Sequence, residues 1–464
     1  MLMFNSENQK SLYNQLYQQL KDNILSGVFK HGTKLPSGRS LTKDFHISRN
    51  TIEAAYQQLI FEGYIYCKPK SGYYVENINL SLMPVVTKSG QNELKTEKLQ
   101  INKTTYNLQY GKITHNDQLF SKWQKLTNDC IRDYKDRLTE YVFIEGEPGL
   151  RKEIMKYLQE FRGVQCSLDQ IIIGGGTQYS ISLICQLLLN KASATAIEKP
   201  GLSWAYRIFR NYDFSVWPIG LDNFGLNVDQ LKTTDADIVY VTPSHQFPTG
   251  KIMPISRRLE LVEWAVSHNK LIIEDDYTGH FHYNIKPIPS LQSLCPSHVI
   301  YLGTVSKFLF PSMRVSYLVL PECLVARFNK IFIGLPSVVS FLTQKTLELF
   351  MQEGNWDNYL RKTITQLRKK HAILIESLNK VFEDTVTVSG TDAGLHILVK
   401  VKWPMKTEEL IARAAKAGVN ISPPSELWFG DEGEIYGEVL LGFGGIEADT
   451  IPEAVKALKT AWFS

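Results

Sequence analysis

Lysine attacks a carbonyl carbon only as the neutral amine, so a lysine set in apolar sequence is a candidate nucleophile. Lys307 has that setting: it closes Gly303-Thr304-Val305-Ser306-Lys307 after the apolar run 299–302, and Phe308-Leu309-Phe310 follows it. Arg314 stands seven residues further on. A second segment, Ile273-Glu274-Asp275-Asp276-Tyr277, ends another apolar run with carboxylates and a phenol. A third, Gly174-Gly175-Gly176-Thr177, separates the run 171–173 from a helical pattern carrying Ile181 and Leu187. Free amides at such a helix start, with no side chain in the way, form a cup for phosphate. The fourth is the loop Thr242-Pro243-Ser244-His245-Gln246-Phe247-Pro248-Thr249-Gly250, which follows the run 238–241.

Each segment has an ordinary reading when taken alone. A lysine is most often a surface ammonium, a glycine run a tight turn, and an acidic pair a solvated edge or a metal site. The glycine run also lacks the Gly-Lys-Ser/Thr ending of a nucleotide P-loop. All four, however, follow strand patterns. Over 106–464 apolar strands alternate with amphipathic helices, the pattern of a mainly parallel sheet covered on both faces. Ligands bind such sheets at the carboxyl ends of the strands, where these segments fall. A further strand is expected at 315–320. Beyond Trp356 a long helical stretch leads to runs at 386–388, 395–401 and 439–441, which predicts a smaller α+β subdomain. The fold class is α/β multidomain.

The first 75 residues follow a different rule. Leu12, Leu16, Leu20 and Ile24 repeat every four residues, Pro36-Ser37 opens a short helix with Leu41 and Phe45, and Ser48 caps a third with Ile52, Ala55, Tyr56 and Leu59. Residues 64–75 read as a hairpin turning through Lys68-Pro69-Lys70-Ser71-Gly72. Three short helices and a basic-tipped hairpin describe a winged helix-turn-helix, whose second motif helix enters the major groove. That helix begins Ser48-Arg49-Asn50-Thr51, with Glu53 and Gln57 on its outer side. Arginine pairs with guanine, and asparagine or glutamine with adenine. Arg39, Lys43, Lys68 and Lys70 are candidates for phosphates, and Gly72 lets the wing approach a groove. The same module with a solvated basic edge is also a plausible protein-binding unit. Between the two patterns, residues 76–105 lose periodicity and read as a flexible linker.

Composition bounds the rest. The chain has 464 residues, 44% apolar and 21% charged, which excludes wholesale disorder and leaves ample material for a core. It carries 51 basic and 47 acidic residues, and the whole surplus lies in residues 1–75, where nine basic face five acidic. An anionic partner for that unit fits the asymmetry. No stretch is long and apolar enough for a membrane span, and no signal-peptide core opens the chain, so a cytoplasmic location is expected. The six cysteines have no paired spacing and are expected to be reduced, buried thiols; no metal site is expected.

The residues Leu35-Pro36-Ser37-Gly38-Arg39, Leu41, Ser48-Arg49-Asn50-Thr51, Ala55-Tyr56, Leu59, Glu62-Gly63-Tyr64 and Gly72-Tyr73-Tyr74-Val75 resemble the GntR family of bacterial regulators. The resemblance implies dimeric, sequence-specific binding to double-stranded operator DNA. Gly38 stands where that family usually has a charged residue. The order of the four strand-end segments, together with Glu147-Pro148-Gly149-Leu150-Arg151 and Arg162-Gly163-Val164, resembles fold-type I enzymes of pyridoxal 5′-phosphate (PLP). That resemblance implies that Lys307 forms the Schiff base, Asp275 pairs with the pyridinium nitrogen and Tyr277 meets the ring hydroxyl. Gly176, Thr177, Thr304, Ser306 and Arg314 would hold the phosphate.

A winged helix, a linker and an aminotransferase-like domain in one chain resemble the MocR/GabR regulators, which are usually head-to-tail homodimers. Three departures from the aminotransferase and GabR patterns involve four positions. Phe247 replaces an asparagine expected at the ring hydroxyl. Leu202 and Trp204 stand in place of a ring-stacking aromatic and a carboxylate-binding arginine. Gly445 stands where a second arginine grips an α-carboxylate, although Arg207 or Arg210 could substitute. A charge-assisted pair contributes roughly 1.5–3 kcal/mol, so losing both arginines argues against amino-acid turnover. The expectation is therefore a regulator, similar to the PdxR branch, that senses PLP itself and controls vitamin B6 synthesis. The alternatives are a GabR-like amino-acid sensor and a working aminotransferase with a DNA-binding appendage.

Overall fold

Three serine hydroxyls start the three helices of the N-terminal unit. Ser11 accepts the amide of Asn14 at 3.3 Å, Ser37 that of Ser40 at 3.1 Å and Ser48 that of Thr51 at 3.2 Å. These caps set α1 (Leu12–Leu25), α2 (Gly38–Phe45) and α3 (Arg49–Phe61). Leu16, Leu20, Leu41, Ile52, Ala55, Tyr56 and Leu59 are buried between them. The antiparallel pair β1 (Ile65–Lys68) and β2 (Gly72–Val75) closes the unit through the register Ile65 to Val75. The computed structural model describes residues 11–78, 105–114, 117–283, 288–424 and 437–464. It forms two compact units, Met1–Leu99 and Gln100–Ser464. Most of the linker expected at 76–105 lies outside the described residues.

In the larger unit the strands are β3 (Tyr106–Asn107), β4 (Ile171–Gly174), β5 (Ala194–Lys199), β6 (Ser215–Asp222), β7 (Gly225–Leu226), β8 (Ile238–Val241), β9 (Leu271–Asp275), β10 (Val299–Thr304) and β11 (Ser316–Val319). Eight of them form one sheet in the order β4-β11-β10-β9-β8-β5-β6-β7. The run β10, β9, β8, β5, β6 is parallel, and its central strands are buried on both faces. This is the mainly parallel sheet expected from the apolar runs. Two strands depart from the expected alternation: the short β7 turns back antiparallel on β6, and β11 lies antiparallel to both β10 and β4, with no α-helix between β10 and β11. The chain therefore doubles back tightly after β10, and Lys307 sits on that return.

The C-terminal part adds β12 (Val386–Ser389), β13 (His396–Val401), β14 (Val419–Asn420) and β15 (Glu438–Gly442). Strands β12, β13 and β15 make an antiparallel sheet, and helices Thr407–Lys416 and Ile451–Phe463 complete the small α+β subdomain. Strand β3 pairs in parallel with β14, and this carries residues 106–114 across to the C-terminal part and the large sheet's edge of the site. The cysteines correct one expectation: all six are free, but Cys67 and Cys323 are exposed, because 67 and 323 fall on outward-facing positions of a hairpin and of a helix start.

Candidate functional site

The strand ends open into a cavity of about 650 Å³, lined by Thr177, Asp275, Tyr277, Thr304, Ser306, Lys307 and Arg314. Lys307 is half-buried. Its ammonium donates to the hydroxyl of Tyr110 and lies 4.0 Å from the ring centre of Tyr277. Burial lowers its pKa to about 7, against the opposing pull of the Asp275 carboxylate. At neutral pH a sizeable fraction of this lysine is therefore the nucleophilic amine. Asp275 is 2% exposed and accepts a 2.5 Å hydrogen bond from Tyr240. Burial raises its pKa to about 7, opposed by Tyr240 and Lys307. A nearby cation on a ligand would restore its charge.

The glycine turn before helix Thr177–Leu188 takes the conformation its residues require. Gly176 has φ +96, open to glycine, and a Cβ there would meet Arg314 Nη2 at 2.3 Å. Gly176 caps helix Thr177–Leu188, whose first turn has no side-chain cap. Its positive end faces the cavity through Thr177 and Gln178. Arg314 itself adopts a left-handed φ of 52 as the chain turns into β11. An amide-lined helix end and a guanidinium thus meet at one place, the donor set a phosphate takes. Thr304 and Ser306 line the same cavity but direct their hydroxyls to the carbonyl of Val315, at 3.2 and 3.0 Å, and Ser306 also accepts the Val315 amide at 2.6 Å. Both brace the return after β10, which leaves only their remaining lone pairs and backbone amides for a ligand.

Tyr277 donates to the backbone carbonyl of His245 at 2.8 Å, so its phenol is already engaged at the cavity wall. Phe247 packs against Tyr110 and Tyr277, with ring centres 5.1 and 6.1 Å apart. Beneath them the acidic run is fully interior. Asp276 accepts from Arg162 at 2.6 Å and from Tyr301 at 2.5 Å; burial alone would push its pKa up, but Arg162 and these hydrogen bonds hold it below the usual range. Glu274 receives the amides of Leu291 and Gln292, both at 3.0 Å. The three acids are thus buried and hydrogen-bonded to the protein rather than a solvated edge, and of them Asp275 lines the cavity. Sequence reasoning missed Tyr110 and Tyr240, the direct partners of Lys307 and Asp275. Tyr240 lies within a strand pattern and Tyr110 lies 197 positions from Lys307, so local pattern carries no signal for either.

In the smaller unit Arg39, Ser48, Arg49 and Asn50 are exposed, with Thr51 partly so, at the starts of α2 and α3. Ser48 also contacts the Thr51 hydroxyl at 2.8 Å, so both are partly occupied in capping. On the wing, Lys68 lies 4.7 Å from the ring centre of Tyr74, Lys70 takes a φ of +62 and Gly72 a φ of +117 at the tip. A Cβ on Gly38 would meet only Ile52, at 3.8 Å, so nothing in the fold requires glycine there.

Residues 12–75 match the bacterial regulatory proteins of the gntR family, and residues 103–433 match aminotransferase class I and II. Over nearly the full chain, the protein is 37% identical to the uncharacterized HTH-type transcriptional regulator YdeL of Bacillus subtilis, covering 97% of this chain and 96% of that one. It is 27% identical to the probable rhizopine catabolism regulatory protein MocR of Rhizobium meliloti, covering 100% and 96%. The HTH-type pyridoxine biosynthesis transcriptional regulator PdxR of Corynebacterium glutamicum is also 27% identical, over 97% and 96%. The chain belongs to the MocR-type regulators. Its larger unit shares the fold of a multiple substrate aminotransferase from Thermococcus profundus, with a TM-score of 0.69 at 22% identity, covering 77% of this chain and 91% of that one. In this MocR-type regulator Leu202 and Trp204 line the cavity, whereas Arg207 and Arg210 are exposed and do not. Gly445 is held by close packing: a Cβ there would lie 2.8 Å from Lys112 Cβ.

Proposed function

We propose that this MocR-type regulator binds PLP through Lys307, Asp275 and the Gly176–Thr177–Arg314 cup, and that PLP itself is the effector controlling genes of vitamin B6 synthesis. The observation that carries the reading is one cavity in which a lysine of lowered pKa, a buried carboxylate and an anion cup converge, while Trp204 and Gly445 leave the two arginine positions empty of charge. The likeness to a pyridoxine biosynthesis regulator along the whole chain points the same way.

When bound, PLP supplies an aldehyde and an electron-withdrawing ring. The protein's residues do the rest. Lys307 presents a neutral amine, Tyr110 orients it from one side, and the Tyr277 ring supports it from the other. Asp275, held by Tyr240, stabilises a proton on a ring nitrogen, and Arg314 with the helix end takes the phosphate dianion. Residues 1–75 bind operator DNA through Arg49 and Asn50 at base edges and Arg39, Lys68 and Lys70 at phosphates, with residues 76–105 joining the two parts. A homodimer fits the exposed apolar residues Tyr141, Phe143, Ile333 and Val338 on neighbouring segments, tied by a bridge from Phe143 to Pro336. Burial of such a patch is the usual remedy for its exposure.

The experiment is a titration of the cofactor-free protein on the DNA upstream of its own gene, with PLP alone. A change in affinity or footprint supports the reading. No response to PLP, followed by a response once amino acids join the PLP-loaded protein, selects the amino-acid-sensing alternative.

A further inference from the structure

Tyr240 carries a hydroxyl into an apolar layer. It is 1% exposed on β8, among Ile197, Ile238, Ile273, Ile300 and Leu302, with the Phe209 ring edge-on at 6.3 Å between ring centres. Phenylalanine would fill that space as well, and a buried hydroxyl costs free energy unless it is hydrogen-bonded. Its partner is Asp275 Oδ2, to which it donates at 2.5 Å. The sheet arranges this contact. Tyr240 pairs with Ile273, and Asp275 stands two residues further along β9, so both side chains leave the sheet on one face. The phenol is a permanent donor, because burial and the adjoining carboxylate raise its pKa well above the ordinary value.

We infer that Tyr240 is the positioning residue of the ring-nitrogen contact: its hydroxyl holds one oxygen of Asp275 and keeps that carboxylate charged for the ring. The inference rests on the PLP reading and deepens it. Other groups act on Asp275 as well. Lys307 favours its charged form but is itself consumed when PLP arrives. Asp276, next in the chain, opposes the charge, although Arg162 holds it in a 2.6 Å ion pair. Glu198 on β5, Tyr110 and Tyr277 also lie close enough to interact with Asp275, and none of them carries a positive charge. A buried carboxylate whose lysine partner is spent takes up a proton unless a donor remains, and Tyr240 is that donor.

The test uses cofactor-free full-length protein and deoxypyridoxine phosphate, the PLP analogue with a methyl group in place of the aldehyde, so that Lys307 does not react. Affinity is read by calorimetry from about pH 5.5 to about pH 8.5. Wild type is expected to lose affinity as pH falls through about 7, where Asp275 takes up its proton. The phosphate of the analogue titrates near about pH 6 in every sample alike, so a difference between proteins reports Asp275. Removing a donor to the charged form raises a carboxyl pKa. Tyr240→Phe is therefore expected to move the fall about one pH unit higher, with affinity about five- to tenfold below wild type near about pH 6.5 and within about twofold of it near about pH 8.5. Tyr240 replaced by meta-fluorotyrosine, a stronger donor of nearly the same shape, is expected to move the fall lower by a few tenths of a unit, and it decides the matter if Tyr240→Phe does not fold. A fall at the wild-type pH in the variants, with or without an equal loss at every pH, overturns the inference. Failure of wild type to bind the analogue at any pH overturns the cofactor reading along with it, whereas normal wild-type binding with an unmoved profile in the variants overturns the inference alone.

Discussion

At the scale of single residues, Lys307 carries the sharpest expectations. Removing its amine in Lys307→Ala should abolish the long-wavelength absorbance that PLP acquires on joining a lysine, and a spectrum unchanged from wild type would refute the assignment. Its pKa near 7 adds a pH dependence. The reactive species is the deprotonated amine, so the initial rate of PLP uptake by cofactor-free protein should rise from pH 6 to pH 8 and level off above. Stopped-flow absorbance across that range checks it: a rate still climbing steeply above pH 8 would mean that Asp275 holds the lysine charged, and a flat profile would mean that lysine deprotonation does not limit uptake. On the proposed reading, in which Asp275 would pair with the ring nitrogen, Asp275→Asn removes that charged contact. Equilibrium dialysis should then show PLP affinity falling by about ten- to a hundredfold, the equivalent of roughly 1.5–3 kcal/mol.

At the scale of elements, α3 combines two duties that mutation can separate. Ser48 caps the helix at the Thr51 amide, so Ser48→Ala should lower the stability of the N-terminal unit by about 1 kcal/mol in urea titration. Arg49 is exposed and makes no such cap. Arg49→Ala should leave stability within about 0.5 kcal/mol of wild type yet weaken operator binding far more than binding to random DNA. Equal losses on both DNAs would reduce Arg49 to a phosphate contact. Gly38 at the start of α2 has open space, so Gly38→Ala should stabilise the unit by about 0.5 kcal/mol.

At the scale of the whole molecule, the buried histidines decide the response to acid. His245, His282 and His396 are each at most 5% exposed, and burial lowers the pKa of His282 to about 4 and of His396 to about 3, with His245 also well below its ordinary value. The unfolded chain takes up protons near pH 6.5 that the folded chain refuses until far lower. Stability should therefore be present above about pH 6.5 and be lost as pH falls below it, by up to about 1.4 kcal/mol per unit for each histidine. Thermal melts from pH 7.5 to 5.5 test this. A melting temperature that does not fall would mean that the histidine cluster is solvated.

Local pattern in the chain was enough to read the winged helix and to set Lys307, Asp275 and Arg314 near strand ends, where they line one cavity. Periodicity is a local property, and each of those segments follows directly on an apolar strand whose burial the pattern records. It did not determine the antiparallel return from β10 to β11, because an apolar run has the same pattern in either direction and only its hydrogen-bonded neighbours set its sense. Nor did it reveal Tyr110 and Tyr240 as partners, or Lys112 lying on Gly445. Tyr240 meets Asp275 across neighbouring strands of the large sheet, 35 residues apart, while the Tyr110 and Lys112 contacts bring the segment after β3 to Lys307 and to the C-terminal part, and all of them exist only because burying the sheets brings the pieces together. The absence of arginine at 445 was legible as a missing charge. That the Lys112 stem packs against Gly445 was decided by the tertiary structure alone.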